Sequence, residues 1–222
     1  MNLNSMVDVL VHNNVIESDI VEQTMRKVDR KTFVPNLVEP YEDAPIPCGF
    51  NATISAPHIY GIFLELLKDH LQPGASVLDL GGGTGYSSAL FGSIVGKKGK
   101  VVSIEHIPEL SNLARSNLEK ELPKLWKSNV FEILEMDGFN GYPKLAPYDV
   151  ILIGAACEKI PKSLLLQLKP WGRLLSPVGP QDKSQYLTIV DKLPDGTVNI
   201  TRGTKVKFTP FTSKEEQLSL RY

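Results

Sequence analysis

The stretch Leu78-Asp79-Leu80-Gly81-Gly82-Gly83-Thr84-Gly85-Tyr86 decides the fold. The segment Ser76–Leu80 reads as a short buried strand, being apolar at Val77, Leu78 and Leu80. The glycines behind it let the backbone turn tightly and approach a ligand closely. Tyr86–Val95 then reads as a helix, and the free N–H groups at such a start favour polar or anionic atoms. Strand, glycine loop and helix in that order open a β-α-β unit.

Working outward confirms the alternation. Gly99–Glu105 is a strand, and Pro108–Leu122 is a helix with Leu110, Leu113, Ala114 and Leu118 on one face. Val130–Leu134 and Tyr148–Ile153 are strands, Pro161–Leu168 a helix and Gly172–Val178 a strand. This order predicts an α/β fold with a mostly parallel, doubly wound sheet carrying helices on both faces. Gln185–Leu193 and Val198–Lys207 flank the Pro194-Asp195-Gly196 turn, so the sheet is expected to end in an antiparallel hairpin. Toward the N-terminus, Leu3, Met6, Val7, Leu10 and Val11 predict a helix, and a second follows Ser18, a candidate N-cap. Pro35, Pro40, Pro45 and Pro47 exclude regular helix from Val34 to Phe50, which is expected as a loop and a candidate lid. A third helix is expected to open at Ser55 as N-cap with Pro57 in its first turn, and to end at Gln72-Pro73-Gly74. We expect one domain over 1–222, with N-terminal helices and a substrate-facing segment in 1–75 and the Rossmann-like core in 76–222.

Composition narrows the function classes. The 222 residues carry a formal net charge of -1, with 42% hydrophobic and 22% charged residues. Such a chain is ordinary globular protein, without the field that whole-surface nucleic-acid or membrane binding needs. The longest apolar run, Val150–Cys157, is far short of the roughly 20 residues of a membrane span. Two cysteines, Cys48 and Cys157, predict free thiols, and the scattered His12, His58, His70 and His106 make no metal motif. The expectation is a soluble cytosolic monomer without bound metal, acting on neither nucleic acid nor membrane.

The ligand follows from spacing. Gly85 comes two residues after Gly83, where a dinucleotide fingerprint needs three. Glu105 ends the next strand 20 residues beyond Gly85, where a carboxylate accepts the hydroxyls of an adenosine ribose. Asp79 could hold an ammonium, directly or through water. A nucleoside with an amino-acid tail and no pyrophosphate satisfies all three, and S-adenosylmethionine is the natural candidate. Asp137-Gly138 follows the third strand and could accept from the adenine amino group, although Asp-Gly is also a common turn.

The chain also resembles the protein-L-isoaspartate (D-aspartate) O-methyltransferase family over essentially its whole length. The most specific match is Ala52-Thr53-Ile54-Ser55-Ala56-Pro57-His58. Further matches are Leu78–Gly85, Ile104-Glu105-His106, Pro147–Ala156, Leu168–Pro180 and the tail Phe208–Gln217. The resemblance implies methyl transfer from S-adenosylmethionine, leaving S-adenosylhomocysteine, to the free carboxylate of L-isoaspartyl residues in damaged proteins and peptides. D-aspartyl residues are a second implied acceptor. The ester then cyclises to a succinimide, whose hydrolysis returns some normal aspartate. It implies Ser55 as the active-site serine. It places cofactor contacts at Ala52, Thr53, Ile54 and Ser55, at Gly81, Gly82, Gly83, Thr84 and Gly85, at Glu105 and His106, at Asp137 and Gly138, and at Thr212 and Gln217. Tyr60 stands where mammalian members have a histidine near the cofactor, and Trp171 replaces a common glycine.

The chemistry fits these residues. The acceptor carboxylate is already ionised at neutral pH, so no strong base is needed. Charge cancels as the bond forms, so a neutral donor such as the Ser55 hydroxyl orients the acceptor without over-stabilising it. Three alternatives compete: a small-molecule methyltransferase, which leaves Thr53–Pro57 unexplained; a non-catalytic sensor, which predicts lost groups that are present; and a dehydrogenase, which the glycine spacing opposes. Arg202, Lys205, Lys207 and Lys214 read as solvated strand edge or as attraction for acidic peptides.

Overall fold

Short apolar runs separated by glycine and proline turns build a seven-stranded sheet flanked by helices in the computed structural model. The structure describes residues 1–35, 38–181 and 183–219. In chain order the elements begin with α1 (Leu3–His12), α2 (Asp19–Lys27), β1 (Ile46–Gly49), β2 (Ala52–Ile54) and α3 (Pro57–Leu67). Then come β3 (Ser76–Leu80), α4 (Tyr86–Val95), β4 (Lys100–Glu105), α5 (Pro108–Glu121), α6 (Pro123–Trp126), β5 (Phe131–Glu135) and β6 (Tyr148–Ile153). The last are α7 (Lys162–Gln167), β7 (Leu168–Val178), β8 (Gln185–Lys192), β9 (Val198–Val206) and α8 (Lys214–Ser219).

The sheet order is β5-β4-β3-β6-β7-β8-β9, with β1-β2 as a separate antiparallel pair. Strands β3 to β7 run parallel, and β8 and β9 add the expected antiparallel end. The central strands are apolar at nearly every position because helices cover both faces. Alternation then sorts the side chains. Val77, Val101, Val150 and Leu152 join one core with α1 to α4. Leu78, Leu80, Val102, Ile104, Ile151 and Ile153 join the other with Leu164 of α7. Gly85 opens α4 at φ +95°, and its Cα faces Ala114 of α5 so closely that a Cβ would have to push against it.

Four expectations need correction. Ser55 does not cap α3: the N-cap position is Ala56, and no side chain of the cap residue bonds there. The Asp43 carboxylate reaches across instead and accepts from the His58 N–H at 2.9 Å. Ser18 holds its N-cap position, yet its hydroxyl donates to Glu65 of α3 at 2.8 Å. α3 ends at Leu67, before the Gln72-Pro73-Gly74 turn, and β7 starts at Leu168 rather than Gly172 because Leu168 already pairs with Tyr148.

The 34–50 segment is also more ordered than its prolines suggest, since its end forms β1. Residues 36 and 37 of it lie outside the described residues. The Tyr41 hydroxyl donates to Asp29 at 2.9 Å and the Pro40 carbonyl accepts from Arg30 at 2.9 Å, so the chain from 38 onward is pinned.

Candidate active site

The sheet order reverses at β3, whose neighbours are β4 on one side and β6 on the other. Open α/β sheets bind ligands at such a switch, outside the carboxyl ends of the strands. Here the glycine loop leaves β3 with Gly81 at φ +77° and Gly83 at φ +53°. The Ile104 carbonyl accepts from Gly81 N–H at 2.9 Å and Gly82 N–H at 3.1 Å, so the loop is tied to β4. Gly82 lies against the Ser103 hydroxyl and leaves no room for a Cβ.

Glu105 is 6% exposed and faces the loop. Its Oε2 accepts from Gly83 N–H at 3.0 Å and its Oε1 from Ile107 N–H at 2.9 Å. Two backbone bonds lock the carboxylate in place, and each oxygen keeps further acceptor capacity for a diol. Asp79 behaves differently. It is fully buried, and its Oδ2 accepts from the Ser87 and Ser88 hydroxyls at 2.7 and 2.6 Å. Its Oδ1 has no partner among the described residues, and burial pushes the carboxyl up to about 6.

The β1-β2 hairpin brings Ala52, Thr53, Ile54 and Ser55 to the same place. Its tip, Phe50-Asn51, has φ of 55° and 57°, a left-handed pair suited to a tight hairpin turn. Asp43 supplies the helix cap, which leaves the Ser55 hydroxyl uncommitted to capping. Tyr60 lies edge-on to Tyr86, ring centroids 4.8 Å apart. Burial pushes the Tyr60 phenol up to about 12, opposed by Arg30 and by the backbone N–H of Ser55.

The tail crosses over the top. Ala156 N–H donates to Thr209 O and Phe211 N–H to Ala156 O, at 2.8 and 2.7 Å. The Gln217 side chain then meets both the hairpin and β4. Its Nε2 donates to Phe50 O at 2.9 Å, and its Oε1 lies 2.8 Å from His106 Nε2. The Asn51 amide donates to Gln217 O at 2.8 Å, and the Thr212 hydroxyl donates to Glu216.

These segments enclose a cavity of about 910 Å³, counting the part open to solvent. Ala52, Thr53, Ile54, Ser55, Tyr60, Gly81, Gly82, Gly83, Thr84, Glu105, His106, Gly138, Thr212 and Gln217 all line it. Three expected residues do not. Gly85 starts the helix behind the loop, and Asp79 lies beneath the loop with its bonds turned to α4. Asp137 is exposed and accepts from Phe139 N–H at 2.9 Å, which makes the Asp-Gly pair a side-chain-stabilised turn. The lining also includes Cys48, Tyr86, Ser87, Met136, Gly154, Phe211 and the aromatic pair Phe63 and Phe208, stacked at 6.0 Å, none of them among the expected contacts. Phe208 and Phe211 could have been found, since both belong to the tail segment that matched the family. Gly154 belongs to the matched Pro147–Ala156 segment and Tyr86 ends the glycine stretch, whereas Cys48, Met136 and Phe63 converge on the cavity only in three dimensions. Burial raises the Cys48 thiol to about 11, so it is a neutral wall at physiological pH. Among the described residues no group of three or more His, Cys, Asp or Glu could hold a metal.

A locked carboxylate, a bare glycine backbone and an apolar end at Met136, Gly138 and Phe211 suit a nucleoside with a charged tail. Sheet order, loop and carboxylate together define a Rossmann-like methyltransferase. The comparisons narrow the class: the chain belongs to the protein-L-isoaspartate(D-aspartate) O-methyltransferase family, whose model matches residues 1–216. It is 45% identical over 97% of its length to a protein-L-isoaspartate O-methyltransferase from Triticum aestivum, covering 93% of that protein. It is 46% identical over 91% of its length to one from Archaeoglobus fulgidus, covering 89% of that protein. A solved Plasmodium falciparum structure assigned to the same enzymes, in complex with S-adenosyl-L-homocysteine, superposes with a TM-score of 0.88 at 27% identity. That match covers 96% of this chain and 99% of the other.

Proposed function

We propose that this chain is a protein repair enzyme that methylates the free carboxylate of L-isoaspartyl residues, using S-adenosylmethionine as donor. One observation carries the reading: in a member of this family, the Ser55 segment, the glycine loop and Glu105 open into one cavity. D-aspartyl acceptors belong to the same proposal, as does one methyltransferase domain over 1–222 acting as a cytosolic monomer. No helix among the described residues is long and apolar enough to cross a membrane.

When bound, S-adenosylmethionine supplies an electrophilic methyl group on a positive sulfur. The protein holds it by its ends. Glu105, held by Gly83 and Ile107, would accept hydrogen bonds from the ribose hydroxyls on its remaining lone pairs, and the Gly81–Thr84 backbone would hold the methionine portion. Asp79, beneath the loop, balances the ammonium charge from behind rather than by contact. Met136 and Phe211 would hold the adenine, while Gln217 ties the tail to Phe50 and His106 and would help exclude water. At the other end the Ser55 hydroxyl donates to one oxygen of the acceptor carboxylate and leaves the second free to attack. Since the acceptor is ionised at neutral pH, this is orientation, worth a large factor when bimolecular groups are held at attack distance. The methyl ester leaves the site, and the backbone amide nitrogen of the following residue attacks the ester carbonyl, closing the succinimide and expelling methanol.

The test is a paired assay with two peptides of one sequence, carrying isoaspartate or aspartate. Ester should form on the isoaspartyl peptide alone. Ser55→Ala should lower kcat/KM by about ten- to a hundredfold, the equivalent of one hydrogen bond to a charged group, while binding of S-adenosylhomocysteine persists. Equal methylation of both peptides, or none despite a bound cofactor, would overturn the reading.

A further inference from the structure

The acceptor is an anion, yet among the described residues no arginine or lysine lines the cavity; the charged lining there is Glu105, and the basic side chain is His106. A cation lies directly behind the wall. Arg30 is 0% exposed. Its Nε donates to Pro40 O at 2.9 Å, and neither Nη1 nor Nη2 has a partner among the described residues. The guanidinium carbon stands 5.9 Å from the Tyr60 ring centroid and 5.5 Å from that of Tyr86. Tyr60 and Tyr86 both line the cavity. Asp43 acts on Arg30 through space, but its Oδ1 is committed to the His58 N–H and ring. Burying a cation with so little compensation is costly. Packing alone does not call for it, since an apolar side chain would fill the volume.

We propose that Arg30 is a specificity-determining residue: a fixed positive charge, screened behind Tyr60 and Tyr86, that makes the acceptor end of the cavity select a negatively charged carboxylate. This rests on the reading of Ser55 as marking the acceptor end. The aromatic screen explains why the charge is not in the cavity itself. A guanidinium touching the acceptor would clamp the ground state, whose charge is lost in the transition state. Set back behind a ring it still acts. Opposite charges roughly 10 Å apart at an effective dielectric near 20 correspond to about a tenfold effect on binding. Arg30 therefore collects the ionised acceptor and contributes little to the chemical step.

The experiment measures binding in the complex with S-adenosylhomocysteine, where no methyl can transfer. Calorimetry compares an isoaspartyl peptide with its isoasparaginyl counterpart, which presents a neutral carboxamide in the same shape. Wild type should prefer the charged peptide. Arg30→Met and Arg30→Gln should lose about tenfold of that preference and raise KM about as much, with kcat and cofactor affinity changed far less. Arg30→Lys should restore most of the preference. Arg30→Met should also melt no lower than wild type, because it removes an uncompensated buried charge. Unchanged preference in a folded neutral variant would overturn the proposal. So would failure of both neutral variants to fold while Arg30→Lys folds, since that would make the buried charge a requirement of the fold rather than of acceptor selection. Binding of neither peptide by wild type would overturn the functional reading, and this inference with it.

Discussion

Asp79 shows how one residue's chemistry depends on what surrounds it. In the sequence it is an acid two positions before a glycine loop, well placed for an ammonium. In the structure it is buried under that loop, holding the Ser87 and Ser88 hydroxyls on one oxygen and nothing among the described residues on the other. Its carboxyl is raised from 3.8 to about 6. The folded state thus holds the proton more tightly than the unfolded chain. That stabilisation is complete below about pH 4 and is lost as pH rises through 6. We expect Asp79→Asn to be more stable than wild type at pH 7, by up to about 3 kcal/mol, the equivalent of a two-unit shift. The gain should vanish below about pH 4 in urea titrations across this range, and a constant difference would contradict the assigned cause. Ser55 makes the complementary point. Its sequence context suggests a helix cap, but Asp43, distant in sequence, takes that role and leaves the hydroxyl for the site.

At the level of elements, strands and helices were the most legible features and their junctions the least. The β3 to β6 repeat emerges from apolar runs and glycine punctuation because those strands are buried on both faces. β1 escaped notice because its four residues include Pro47 and carry no pattern of their own; pairing with β2 makes them a strand. The tail helix α8 is of this kind too. It spans six residues, too few to be stable alone, and is held by Gln217 against Phe50, Asn51 and His106. Gln217→Ala removes the two side-chain bonds that join tail, hairpin and β4. It should speed release of S-adenosylhomocysteine by up to roughly thirtyfold, from about 1 kcal/mol for each of the two bonds. Stopped-flow fluorescence would measure this, and an unchanged release rate would mean that the tail does not close the cofactor end.

Across the whole molecule, the site joins an N-terminal hairpin, the central β3-β4 edge and the C-terminal tail, so ligand binding reports on the entire fold. Saturation with S-adenosylhomocysteine at a hundred times its dissociation constant should stabilise the protein by about 2.7 kcal/mol and raise Tm by about 5–10 °C, whereas NAD should do neither. Equal shifts with both ligands would contradict the reading of the glycine spacing. The sequence by itself determined the α/β class, the glycine loop with Glu105 as its distal acid, and the family, because these rest on local periodicity and fixed spacing along the chain. Only the tertiary structure decided which of those residues line the cavity. Asp79, Gly85 and Asp137 satisfy the local pattern yet turn away from the cavity, while Cys48, Tyr86 and Phe63 line it. The buried Arg30 behind them belongs to the same lesson. The physical reason is that facing and burial come from packing between segments far apart in the chain, which no spacing within one segment encodes.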